Sequence, residues 1–261
     1  MTLFATIAIP STPWLWPAGV FLLAVKGGTV SGVVVRDLNG DAIGFQQCTH
    51  VRIEDCVLEN NAGNGLHPGS GSVGGAMRRC QAVGNGKDGI FFCLRATYCV
   101  CDSCEFVANA DHGVSIGARD TNNAILRCRV ANNRAAGIFF REDNEIMAPH
   151  HTLIAHNTVA DNCAEKDDAE ILVQGPLRDV HVLDNLIEHR SGRRVFAIRV
   201  AEQVLGAHVH GNRCAGEFME ELKVEPRADA VSFAAPEQDL PVGPDSLPPG
   251  ADRHLPPNVR D

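Results

Sequence analysis

Four cysteines, Cys56, Cys80, Cys104 and Cys128, stand 24 residues apart in this chain. Each is followed five residues on by an asparagine (Asn61, Asn85, Asn109, Asn133), and four residues later by a glycine (Gly65, Gly89, Gly113, Gly137). A repeat of fixed period in this range means a solenoid. A unit that short has no second face of its own to pack on, so it buries its apolar residues against the copies before and after it.

The apolar positions inside the unit say what kind. Two residues past each cysteine stand Leu58, Ala82, Phe106 and Val130; ten past, Leu66, Ile90, Val114 and Ile138; twelve past, Pro68, Phe92, Ile116 and Phe140. Alternation at every second residue is the strand pattern. No window sustains a helical period across a repeat, and the L-x-x-L-x-L consensus is missing, which excludes helical and leucine-rich repeats. Asparagine tolerates left-handed turns and its amide can bond the asparagines above and below, while glycine suits corners with no room for a Cβ. The expected fold is all-β: a single-stranded parallel β-helix of about eight coils with a 24-residue core repeat.

The pattern divides the chain into three. Residues 1–25 form an N-terminal cap segment with Trp14, Trp16 and Phe21 as its apolar plug, and residues 26–226 form the β-helix. In coil six Asn157 takes the cysteine column and Asn162 the asparagine column, with a charged insertion at Glu165 to Asp168; Asn185 and Asn212 continue the ladder. Residues 227–261 are a Pro-rich tail, since eight of the 14 prolines lie between Pro226 and the C-terminus.

A formal charge of −9 argues against a nucleic-acid partner, and no apolar run of about 18 residues exists to cross a membrane as a helix. The ten cysteines, with Cys99 and Cys101 also pointing inward, read as buried free thiols, although stacked rungs would also bring pairs within disulfide range. The first 25 residues lack a basic start and are cut by Pro10, Pro13 and Pro17, a poor match to a standard signal peptide, so the compartment stays open.

Chemistry is sought in the residue between the two inward positions of the strand after the glycine. That outward column runs His67, Phe91, Ser115, Phe139, Leu172, Arg199. Two phenylalanines on a solvent face mark either a binding surface, where aromatic rings stack on sugars, or a patch covered by a loop or the tail. Asn64, Asp88 and His112 precede the glycines; Arg95, Arg119, Asp120, Arg141, Glu142 and Asp143 follow the strand. His181, His208 and His210 share one face and could ligate a metal, but solvated surface histidines are far commoner, so no metal is assigned.

At its repeat columns, and in the segments 63–72 (GNGLHPGSGS), 88–93 (DGIFFC) and 112–121 (HGVSIGARDT), the chain resembles the right-handed parallel β-helix proteins. That superfamily includes pectate and pectin lyases, polygalacturonases and mannuronan epimerases. The resemblance spans Lys26 to Pro226 and implies a right-handed helix whose groove takes a polysaccharide or oligosaccharide, and by family habit an extracellular or periplasmic setting. It implies, for a lyase or epimerase acting on a uronate-containing glycan, a base for the proton at C5, a group to neutralise the carboxylate and a proton donor. His67 or His112 would be the base, Arg141 or Arg95 the neutralising group, and Phe91, Ser115, Asp120 and Phe139 the rest of the binding surface. Hydrolysis would instead draw on Asp88 and Asp120 as paired carboxylates. The chain departs from each subfamily: His67 is preceded by Leu66 rather than by Asp-Pro, and neither a calcium-binding acidic cluster nor clustered aspartates are found. No cofactor is implied, and calcium has no recognisable site. The alternative is a non-catalytic scaffold binding a glycan or a protein, monomeric or associated end to end.

Overall fold

The computed structural model describes residues 18–225 and the short strand Val231–Ser232. Trp14, Trp16 and nearly all of the 227–261 tail lie outside the described residues. The chain winds into a parallel β-solenoid of about nine turns whose strands fall into three parallel sheets of nine, nine and eight strands. The first sheet runs from Ala18–Leu23 through Asp41–Gln46, Leu66–Gly69, Ile90–Phe91, Val114–Ile116, Ile138–Phe140, Ala169–Val173 and Phe196–Val200 to Leu222–Val224. Its opening strand lies within the segment expected as cap, with Val20 paired to Ile43, so the solenoid starts one strand earlier than residue 26. Phe21 is no plug; it faces outward opposite Gly44 and is 38% exposed.

Each column does a separate physical job. The inward positions fill one continuous core, with Phe45, Phe92, Phe106 and Phe140 completely buried. Cys56, Cys80, Cys104 and Cys128 are buried free thiols hydrogen-bonded rung to rung, which, with burial, pushes Cys80 up to about 12; Cys99 and Cys101 face inward too, as expected. The asparagines stack: the Asn85 Nδ2 donates to Asn109 Oδ1 (3.1 Å), and Asn109 Nδ2 donates to Asn133 Oδ1 (3.0 Å) and to the Ala82 carbonyl (3.1 Å). The series runs from Asn61 through Asn133 and Asn162 to the buried Glu170, whose carboxylate accepts from Asn162 Nδ2 at 2.6 Å. A second series, Asn157, Asn185 and Asn212, takes over the cysteine column.

The left-handed residue of that turn is one place before the asparagine, at Asn60, Gly84, Ala108 and Asn132 (φ between 54° and 64°). The stacked asparagine itself is free to serve as a hydrogen-bond bracket. The glycine column is explained by space: a Cβ on Gly89 would sit 2.7 Å from the Gly113 carbonyl oxygen and 2.9 Å from Phe106 Cβ.

Replacing Asn109 by Ala would strand the buried Asn85 amide, the Ala82 carbonyl and Asn133 together. At ~1–3 kcal/mol for each buried group left unpaired, Asn109→Ala is expected to cost at least ~3 kcal/mol, read as a lowered urea midpoint.

Candidate functional site

The in-register sheet lays three polar columns along its outer face. Outside the first inward residue runs Asp41, Asn64, Asp88 and His112; in the middle runs Gly44, His67, Phe91, Ser115, Phe139, Leu172 and Arg199. Two residues further along each strand runs Gln46, Gly69, Cys93, Gly117 and Arg141. The middle column is the one anticipated from the repeat. It is less open than the alternation implied: His67, Ser115 and Leu172 are buried, and Phe91 and Phe139 are half-buried, because polar side chains from both flanks fold over the sheet.

On the entry flank, Asp41 Oδ1 accepts from the Asn64 backbone N–H (2.6 Å) and Nδ2 (3.0 Å), and its Oδ2 accepts from His67 Nδ1 at 2.6 Å. Burial opposes charging the His67 ring, but hydrogen bonds to Asp41 and Cys93 outweigh it and raise its pKa to about 9. One coil on, Asp88 Oδ1 accepts from the His112 backbone N–H (2.9 Å) and Nδ1 (3.0 Å). Asp111 lies 2.9 Å from the same Nδ1, and Asp167 lies 3.2 Å from Nε2. Against the cost of burial, these carboxylates raise His112 to about 10, and His112 with Lys166 holds Asp111 down to about 2.

The coil-six insertion is thus part of the site: it brings Lys166 to Asp111 (2.8 Å) and Asp167 to His112, and the His112 ring stacks on Phe139 at 4.1 Å and 6°. Phe139 also packs against a cluster of Ala136, Cys163, Ala169, Leu172 and Val195. Of the two readings of these phenylalanines, the covered one holds for Phe139.

On the exit flank Arg141 folds back over its own sheet. Its Nη1 donates to Ser115 Oγ (2.7 Å), its Nη2 to the Phe92 carbonyl (2.5 Å) and to Asp120 Oδ2 (3.2 Å), and its guanidinium carbon lies 4.2 Å from the centre of the Phe91 ring. Asp120, fully buried, also accepts from the Ala96 and Gly117 backbone N–H groups; burial pushes its carboxyl up to about 7, opposed by Arg141 and those donors. Asp120 therefore sets the guanidinium and does not face the groove. Arg95, at a left-handed turn, is exposed and has no side-chain hydrogen bond to a described residue.

The neighbouring carboxylates raise the two rings to about 9 at His67 and about 10 at His112, which favours their protonated, proton-donating forms at neutral pH. Asp41 and Cys93 escaped the sequence reading. Asp41 shares the column of Asn64, Asp88 and His112, and Cys93 falls outside every interior cysteine column, a signal that repeat alignment does carry.

Two groups place metal-binding atoms within 4.8 Å of one another: Asp88, Asp111 and His112, and Asp179, His181 and His208. The first is engaged by its own ion pairs and Lys166. In the second, on the outer face of the second sheet, the His181 and His208 rings stack at 4.5 Å, while His210 pairs with Leu183 one column away.

A family model described as "Right handed beta helix region" matches residues 18–187. Among solved structures, the chain is similar to the A-module of the Azotobacter vinelandii mannuronan C-5 epimerase AlgE4 (13% identity, 79% of this chain and 64% of that one, TM-score 0.61). It is also similar to that of the same organism's epimerase AlgE6 (16% identity, 81% and 65%, TM-score 0.60). A third is an endo-xylogalacturonan hydrolase from Aspergillus tubingensis (12% identity, 83% and 68%, TM-score 0.55). The chain spans just under two-thirds of the length of the two epimerase modules, and at these identities the likeness is one of fold. No curated protein matches the chain.

Because folding raises both imidazole pKa values above the unfolded ~6.5, their stabilisation is complete below that pH and is lost as pH rises through about 9 and about 10. The melting temperature is expected to fall between pH 7 and 10. His112→Gln should be less stable at pH 7 and should show a flatter slope over the same range by calorimetry.

Proposed function

The chain belongs to the right-handed β-helix family, and we propose that it is a carbohydrate-active member that seats a glycan along the outer face of its first sheet. The observation that carries this reading is the middle column itself: Phe91, half-exposed, stands between His67 and Ser115 on a rigid parallel sheet with Arg141 above it. Such a surface offers an apolar ring face to a sugar and charged hydrogen-bond donors to its hydroxyl or carboxylate groups. Solved neighbours named as mannuronan epimerases and a xylogalacturonan hydrolase lend the reading support through fold.

The finer reading is action on a uronate-containing chain by β-elimination or epimerisation. His67, His112 and Arg141 set three charged hydrogen-bond donors along one face, each held by carboxylates (Asp41; Asp88, Asp111 and Asp167; Asp120), so what the face offers a bound carboxylate is fixed donors and not net positive charge. Loss of the C5 proton places negative charge on that carboxylate, and cations fixed in advance stabilise it without reorganising. In this assignment the imidazolium of His67 or His112 is the proton donor, and the base is another group. A scaffold that binds without reacting uses the same surface but needs only Phe91.

A panel of pectic, alginate-like, glycosaminoglycan and neutral polysaccharides tests the reading, with binding read by calorimetry, cleavage by ultraviolet absorbance and mass spectrometry, and epimerisation by NMR. Phe91→Ala is expected to weaken glycan binding roughly tenfold, the equivalent of ~1.4 kcal/mol. Arg141→Ala, which also releases Ser115, should abolish any product. Binding without product, insensitive to Arg141→Ala, would establish the scaffold instead.

A further inference from the structure

Asp41, His67 and Cys93 stand 26 residues apart in turn. In the register His67 lies three residues past Asn64, the partner of Asp41, and Cys93 lies two residues past Phe91, the partner of His67, so each step leads one rung on and further along the strand. Asp41 Oδ2 accepts from His67 Nδ1 at 2.6 Å. The other ring nitrogen points along the strand toward Gly69, lying 3.4 Å from where a Cβ there would be. Gly69 is the bridge partner of Cys93, so this nitrogen lies beside the rung that carries Cys93, whose influence helps to raise the pKa of the ring.

The surroundings of Cys93 differ from those of the other cysteines. Eight of the ten are buried and Cys214 packs beside the core, whereas Cys93 is half-buried on the outer face. Its neighbours in its own column are Gly69 on one rung and Gly117 on the other, and the spaces that these glycines leave are taken by the His67 ring and the Arg141 side chain. Gly117 has a further effect: it lets Arg141 lie across its rung, so that Nη2 reaches the carbonyl of Phe92, the residue before Cys93. The thiol therefore sits between an imidazole and a guanidinium. The Cys93 backbone is pinned by its N–H to the Pro68 carbonyl (2.9 Å) and by its carbonyl to the Ser70 N–H (2.7 Å). A nucleophile, an imidazole beside it that can give and take back a proton, and a carboxylate orienting that imidazole are the groups nucleophilic catalysis uses.

We propose that Cys93 is a nucleophilic cysteine served by His67 and positioned through Asp41, and that it cleaves carboxylic esters, those of an esterified glycan seated in this groove. The thiolate attacks the ester carbonyl carbon; the C–S bond forms, the C–O bond breaks, and the departing alkoxide takes the proton from His67. Water, giving a proton to the now neutral His67, attacks the thioester and releases the carboxylic acid and the thiolate. Arg141 is the cation beside the carbonyl oxygen during both attacks. Cys93 and His67 are catalytic residues and Asp41 is a positioning residue. The glycan as ester carrier rests on the reading given above; the triad does not.

Two measurements on the intact protein separate these claims. The first is alkylation by iodoacetamide, followed by peptide mass spectrometry at pH 6 to 9. Cys93 should react before the other cysteines with a rate nearly independent of pH. In His67→Gln it should follow an ordinary thiol of pKa ~8.5 and react roughly 100-fold more slowly at pH 6.5. Asp41→Asn should shift the profile partway, and the melting temperature of each variant serves as the folding control. The second is hydrolysis of p-nitrophenyl acetate, acetylated xylan and methyl-esterified pectin. A stoichiometric p-nitrophenol burst, lost in Cys93→Ala, is expected. Ordinary thiol pH dependence at Cys93, or no effect of His67→Gln on it, overturns the triad whether or not a glycan binds. A reactive Cys93 and a burst with untouched glycan esters uphold the triad and overturn the glycan as its ester carrier.

Discussion

Everything on the outer surface depends on one constraint: each coil must lie in register on the last. Backbone ladders alone permit slippage, since every rung of a parallel sheet offers equivalent donors and acceptors. The asparagine series removes that freedom. Each amide oxygen takes both the backbone N–H and the Nδ2 of the asparagine one coil earlier, as Asn109 does for Asn85 (3.0 and 3.1 Å), and a shifted strand would break both at once. Because these groups are completely enclosed, water cannot replace the lost bonds.

Fixed register turns sequence spacing into surface geometry. Register partners share a column, and a residue two or three places further on leans back to meet the rung before: Asp41 with His67, three places past Asn64, and Ser115 with Arg141, two places past Phe139, both contacts of 2.7 Å or less. Glycine matters here through its missing side chain. Gly69 and Gly117 leave the spaces through which His67 and Arg141 lean toward neighbouring rungs.

The fold was legible because the repeat is nearly perfect between Cys56 and Glu142, and because period-2 alternation has one structural meaning. The middle column from His67 to Arg199 was legible for the same reason, and the register bears it out. What could not be read was whatever lies off the strand axis. Side-chain direction past the turn decides that Arg141 returns to Ser115 and that Asp167 reaches His112, two coils from its own neighbours in sequence. Protonation followed from those contacts. A histidine taken alone suggests a base, and it becomes a cation only when Asp41, or Asp88 with Asp111 and Asp167, is placed beside it.

The three faces of the solenoid differ in how they treat charge, and the difference bears on function. On the other sheets, ion pairs such as Arg79 with Asp55 are open to water, where they cost little and contribute little. On the first sheet Asp41, His67, Asp88, His112 and Asp120 are all buried, on the outside of the core, where apolar residues would serve stability as well or better. Desolvation of this many ionisable groups is a standing cost to the fold. Apart from the buried Glu170–His189 pair, the cost falls on one face, along the rungs that also carry Phe91 and Cys93. Hydrogen-bonded charges held in fixed positions beside an accessible thiol are the arrangement chemistry needs and packing does not.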